Sequence, residues 1–215
     1  MKFIEVKNHR VLDILERFRY LYREKYDVTK TSDCMTSHID KGDHFTSEQY
    51  LDELMKKGSD HDGLPAAAYS HPIKPQHYNQ PDAEAKALYE KDFNEINDRL
   101  KTELGLHSSA LSQLYPPKGF IDWHNNANAS SFNVIFTWSE TGDGWFKWVD
   151  NGKINTMHDK KGWSCKVGYF ASYEEERPVI YHCAYTDCYR ITLSFTLGYD
   201  QDYWLDMIDY IKNEE

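Results

Sequence analysis

Tyr115-Pro116-Pro117-Lys118-Gly119-Phe120-Ile121-Asp122-Trp123-His124-Asn125-Asn126 is the stretch whose reading decides the fold. A proline- and glycine-containing turn leads into a segment that alternates and then stops on a histidine. Phe120, Asp122 and His124 alternate with Ile121 and Trp123, so the spacing predicts a strand with those first three on one face. Later in the chain His182 sits within Val179-Ile180-Tyr181-His182-Cys183-Ala184, mid-strand by its apolar surroundings. Arg190 and Thr192 follow. With a three-residue turn at 185–187, Arg190 is expected directly across from His182 on the same face.

Working outward, the hydrophobic period changes after Ser109 from helical to alternating. Strands are expected over 132–138, 145–149, 163–171, 179–184 and 189–197. Asp150-Asn151-Gly152 marks a type I′ hairpin. Such a series of short strands with turn chemistry between them predicts a sandwich or barrel. The part before it reads as helical. Val11, Leu12, Leu15, Phe18 and Tyr22 recur at helical spacing. Thr46-x-x-Gln49 is a capping box, Phe45 and Tyr50 a hydrophobic staple, and Lys57-Gly58 a helix end. Residues 64–81 read as irregular, a third helix runs from Asp82 to Gly105, and a last one covers about 201–212. The expected fold class is α+β: one domain, 1–215, with a mainly helical half over 1–108. A double-stranded β-helix and a C-terminal helix occupy 109–215.

The chain has 215 residues, 40% hydrophobic and 15% aromatic, with a formal charge of -10. That length can bury a core of its own. The acidic balance argues against a nucleic-acid partner, because phosphate binding needs a positive surface. The first ten residues hold no signal-peptide core, and no segment approaches ~18 apolar residues. A cytoplasmic protein with no membrane partner is expected. Cys34, Cys165, Cys183 and Cys188 show no Cys-x-x-Cys spacing; alternation puts Cys183 and Cys188 on opposite faces, so reduced thiols are expected.

Ferrous iron in oxygenases is commonly held by two histidines and a carboxylate, leaving positions open for co-substrate and oxygen. One strand end delivers the first histidine and the acid, and a strand of the opposite sheet is expected to deliver the other histidine. On Tyr115, Gly119, His124, Gly162, His182 and Arg190-x-Thr192, the segment Tyr115 to Phe195 resembles the 2-oxoglutarate/Fe(II)-dependent oxygenase superfamily, near its prolyl-hydroxylase-like members. The run from Trp123 to Asn128 also resembles uncharacterised phage and cyanobacterial members. The resemblance implies His124 and His182 as iron ligands and catalytic residues, with catalytic Arg190 gripping 2-oxoglutarate alongside Thr192 and Tyr115. It implies an Fe(II)- and 2-oxoglutarate-dependent hydroxylase acting on a small metabolite or a protein side chain.

Asn126 stands where the family has its acidic ligand. Three arrangements are open. Asn126 ligates through its amide oxygen; water takes the third position, as in aspartyl/asparaginyl β-hydroxylase-like members; or iron binding is lost and the chain is a non-catalytic binding module. Asp122, expected on the His124 face, is a further candidate. An inward Arg190 needs an anion, either 2-oxoglutarate or an internal Asp or Glu. A three-histidine site with His158 would suit a cupin-type dioxygenase, but the cupin His-x-His pair is missing and His158 reads as a loop residue. His61, His71 and His77 show no ligand spacing. Trp138, Trp145, Phe146 and Trp148 read as core, and Asn125, Asn128 and Asn133 as turn or orienting residues.

Overall fold

Alternation within Arg190-Ile191-Thr192-Leu193-Ser194-Phe195-Thr196 sets up the architecture. Ile191, Leu193 and Phe195 enter a helix-covered core, while Arg190, Thr192, Ser194 and Thr196 face a cavity between two sheets. This computed structural model describes residues 1–36, 39–127, 129–198 and 200–214. In chain order the strands are β1 (Lys2–Ile4), β2 (Met35–Thr36), β3 (Ala68–Pro72), β4 (Ser108–Tyr115), β5 (Phe120–His124), β6 (Ser131–Ser139), β7 (Gly144–Asp150), β8 (Lys153–His158), β9 (Gly162–Phe170), β10 (His182–Thr186) and β11 (Arg190–Thr196). The α-helices are α1 (His9–Arg19), α2 (Val28–Thr31), α3 (Gly42–Phe45), α4 (Glu48–Lys57), α5 (Ala83–Leu104) and α6 (Gln201–Lys212); α1 runs on into a π-helical segment, Tyr20–Lys25.

The strand order is β1-β9-β6-β11-β4-β3-β5-β10-β7-β8, and the paired strands are antiparallel. β3 turns the corner: Ala68 and Tyr69 pair with β5, and His71 and Pro72 pair with β4. β1-β9-β6-β11-β4 forms one wall and β5-β10-β7-β8 the other. Successive strands β10 and β11 lie in opposite walls, which is the jelly-roll wiring of a double-stranded β-helix.

This wiring corrects the expected hairpin: Arg190 pairs with Tyr115 and Ser139, not with His182. β10 also begins at His182, later than expected, although Tyr181 O still accepts from Val149 N of β7 at 2.9 Å. The stretch 64–81 is not irregular throughout. It holds β3, hidden from periodicity because a corner strand is buried on both sides (Ala68, Ser70, His71 and Pro72). His158 is an exposed residue at the end of β8, the second arm of the hairpin turned by left-handed Asn151 and Gly152.

Helices cover the outer faces. Val11, Ile14 and Leu15 of α1, Ile96 and Leu100 of α5 and Ile208 and Ile211 of α6 share a core with Ile191, Leu193 and Phe195. α4 covers the other wall, packing Leu51 and Leu54 on Trp123, Tyr181 and Cys183. Its N-cap is Ser47, whose hydroxyl accepts from Tyr50 N, while Thr46 donates to Gly42 O and Gln49 donates to Glu53, so the expected Thr46–Gln49 capping box does not form. Phe45 and Tyr50 pack edge to face at 5.1 Å, though with Ser47 as N-cap they are not the N′ and N4 residues of a staple; Asp82 and Gly105 cap α5 as expected. Among the described residues no helix is long and apolar enough to cross a membrane.

Leu193→Ala is expected to cost ~2–5 kcal/mol, since it empties the face of β11 turned away from the cavity. Ser194→Ala, on the opposite face of the same strand, should cost less than half as much. Urea denaturation of both variants checks this; equal losses would contradict the assigned faces.

Candidate functional site

The inner faces of both walls enclose a cavity of about 310 Å³. Tyr115, His124, Asn126, His182, Arg190 and Thr192 all line it. The structure thus brings these six residues together, though not by the strand geometry expected, and leaves the further candidate Asp122 out. His124 and His182 are direct cross-strand partners in the same wall, not on opposite sheets.

A β-bulge decides which side chains of β5 reach the cavity. His182 pairs with His124, but Ala184 pairs with Ile121, so β5 carries one extra residue across this step. Ile121 and His124 both turn inward as a result. Asp122 and Trp123 turn outward, Trp123 into the α4 core. The Asp122 carboxylate is fully buried there, and its Oδ2 accepts from Tyr50 OH (3.2 Å), Ala66 N (3.0 Å) and Ala67 N (3.1 Å). Burial pushes its pKa up to about 7 against these hydrogen bonds. Simple alternation had put Asp122 beside His124; the bulge removes it as a ligand.

The two imidazole centroids are 4.1 Å apart at 52°. His124 Nδ1 lies 2.8 Å from Asp122 O, and His182 Nδ1 lies 3.1 Å from Ile180 O. Each carbonyl can only accept, so each ring carries its proton on Nδ1 and leaves the Nε2 lone pair free. Burial lowers the pKa of His124 to about 4, partly opposed by the Asp122 carbonyl. Burial, then His124, lowers His182 well below the ordinary value. Two neutral nitrogen donors with fixed tautomers are what a metal-binding pair requires.

Asn126 is half-buried at the cavity edge with φ 49°, followed by Ala127 at 51°. Asparagine tolerates this left-handed conformation better than most residues. Asn125 fixes the turn: its Oδ1 accepts from Ala127 N (3.1 Å), its Nδ2 donates to Tyr173 OH, and its N–H donates to Gly63 O (3.1 Å). Gly63 is packed so tightly here that a Cβ would lie 2.3 Å from Ala127 N. Asn133 lines the cavity, with its amide tied to Ser131 O and Oγ (both 3.0 Å). Asn128 lies outside the described residues. Among those described, no group of three or more His, Cys, Asp or Glu side chains could hold a metal.

Arg190 is 2% exposed and part of a charge cluster that the sequence did not reveal. Its Nε donates to Asp159 Oδ2 at 2.7 Å and its Nη1 to Thr192 Oγ1 at 2.7 Å, while Nη2 is buried without a partner among the described residues. The other Asp159 oxygen accepts from Lys166 Nζ at 3.0 Å, and both of those side chains are fully buried. Burial alone would raise the Asp159 carboxyl, but Arg190 and Lys166 hold it below the usual carboxylate range. Burial lowers Lys166, with Asp159 pulling the other way. One carboxylate faces two cations. Burial raises Tyr115 to about 12, partly offset by Arg190, whose guanidinium lies 5.6 Å from its ring centre. Lys166, a cation inside the apolar run 163–171, was the sequence signal for this cluster.

No family model and no curated protein matches the chain. Among solved structures, a Pseudomonas putida prolyl-4-hydroxylase matches at 15% identity and TM-score 0.34, covering 81% of this chain and 96% of its own. Drosophila melanogaster CENP-C bound to CAL1 matches at 7% and 0.30, covering 70% and 98%. A predicted oxalate decarboxylase from Thermotoga maritima matches at 19% and 0.26, covering 45% and 74%. At such identities and scores these are likenesses of overall shape, and the chemistry of the site rests on its own residues.

The four cysteines are free; Cys183 is buried under α4 and Cys188 near the cluster. Trp138 packs on the helical core, Phe146 and Trp148 fill the barrel, and Trp145 stacks on Tyr185.

The neutral histidines carry a pH signature. Unfolding returns both imidazoles to an ordinary pKa near 6.5 and lets them take up protons that the folded state refuses. The folded protein should therefore lose stability relative to a His124→Gln/His182→Gln variant as pH falls from about 6.5 toward 4. The slope should reach at most ~1.4 kcal/mol per pH unit for each histidine. Urea midpoints at a series of pH values test this, and parallel curves for the two proteins would refute it.

Proposed function

We propose that the cavity is the active site of a 2-oxoglutarate- and Fe(II)-dependent oxygenase acting on a small metabolite or a protein side chain. The observation that carries this reading is the juxtaposition of two neutral, carbonyl-oriented histidines with a buried guanidinium whose Nη2 has no partner. A buried donor left without an acceptor costs about 1–3 kcal/mol, and Asp159, the ion partner of Arg190, is already shared with Lys166.

The donor set fits the cofactors with one departure. His124 and His182 would hold Fe(II) through Nε2, and the Asn126 amide oxygen or water would supply the third position. Fe(II) with 2-oxoglutarate supplies the oxidising power for hydroxylation when bound. Arg190 and Thr192 orient the far carboxylate of the co-substrate, a role suited to a planar guanidinium. Asp159 and Lys166 fix the guanidinium. Tyr115 stacks against it, and Leu64, Pro65, Leu111 and Phe170 form an apolar wall that limits water around the reacting centre.

A second reading is favoured by one specific observation: Asn126 is neutral and Asp122 faces away, so among the described residues no acid lines the cavity beside the histidines. In that reading the chain is a non-catalytic β-helix that binds a carboxylate and no iron.

Anaerobic addition of Fe(II) and 2-oxoglutarate should give a charge-transfer absorption band, and admission of air should give succinate. Both should fall to the blank in His124→Ala. Carboxylate binding with no metal uptake and no succinate would establish the binding module instead.

A further inference from the structure

Resting on the oxygenase reading, we infer that the anion completes the metal site in this chain. A dicarboxylate binds the metal-free protein first, and a divalent metal binds tightly only to that complex.

The cavity wall explains why. Among the described residues that line it there is no Asp or Glu; the ionisable ones are Tyr115, His124, His182 and Arg190. The histidines offer neutral nitrogens and Asn126 a neutral oxygen. A dication entering alone would therefore find no countercharge and would share a low-dielectric space with a guanidinium. The nearest carboxylate along β5 cannot be recruited. Asp122 is held on the far side by the bulge and by three hydrogen bonds to its Oδ2. Asp159 cannot serve either, being bonded to Lys166 and Arg190 together.

The anion faces the opposite situation. Arg190 Nη2 is a donor waiting for an acceptor whether or not a metal is present. A dicarboxylate that pairs with the guanidinium at one end brings a charged oxygen donor toward the histidines at the other. It neutralises the repulsion and supplies the missing ligand charge in one event. Because coupling between two bound species is reciprocal, the metal must tighten the anion by the same factor.

Calorimetry on chelator-stripped protein, with Co(II) as a redox-stable probe, tests this. 2-Oxoglutarate should bind without metal. Saturating 2-oxoglutarate should tighten Co(II) by at least roughly tenfold, and Co(II) should tighten 2-oxoglutarate equally. Asn126→Asp, which left-handed backbone tolerates, should bind Co(II) without the anion and reduce the coupling to a few-fold at most. If that variant does not fold, the wild-type coupling decides alone. Co(II) binding that is equally tight with and without 2-oxoglutarate overturns the binding order and leaves the oxygenase reading standing. Binding of 2-oxoglutarate with no Co(II) uptake in either state overturns both.

Discussion

A single buried carboxylate, Asp159, divided between Lys166 and Arg190, is the interaction on which the cavity depends. It joins the chain just after β8 to β9 and β11, so it ties an end of one wall to the middle of the other. Removing water from three charges is expensive, and the geometry must be close to ideal to recover that cost. The consequence is a guanidinium that cannot swing away. Held on one edge by Asp159 and at Nη1 by Thr192, it keeps Nη2 where no described residue answers it.

The histidine side of the cavity is fixed by a different device. The extra residue in β5 turns His124 inward and Asp122 outward, and the same Asp122 then holds both ends of the arrangement. Its carbonyl orients the His124 ring, and its carboxylate fastens residues 66 and 67, just beyond the Gly63-Leu64-Pro65 segment of the cavity wall. Asn125 does the corresponding work from the other side, joining the turn to Gly63 and to Tyr173. A backbone carbonyl holds Nδ1 of each ring, and Phe146 and Phe170 pack against His182.

Much of this was legible in the residues. Alternation in β11 assigned Arg190 and Thr192 to an inner face, and His124 was read at the end of its strand; His182, read mid-strand on the opposite sheet, instead opens β10 beside His124. Helix caps at Asp82 and Gly105 were readable because their chemistry is local. What failed was non-local or irregular. A bulge leaves no mark in a period-two pattern, so Asp122 was placed on the wrong face. β3 was invisible because a strand that pairs with both walls has no exposed side. Asp159 looked like a loop residue beside an exposed His158, and only tertiary folding brings it to Arg190. The pairing of His182 with His124, and of Arg190 with Tyr115, follows from jelly-roll wiring that local reading replaces with a hairpin.

That wiring has a consequence for how the cavity can be divided. His124 and Tyr115 come from the strands β4 and β5, while His182 and Arg190 come from β10 and β11 near the end of the chain. Each half of the site therefore borrows its partner across a long loop of sequence, and the entropy of closing that loop is lost before any contact in the cavity forms. Neither the β4–β5 stretch nor the β10–β11 stretch alone holds the whole binding site. The ligand-binding chemistry exists only in the finished barrel, so occupancy of this cavity reports completed folding of the whole β-helix.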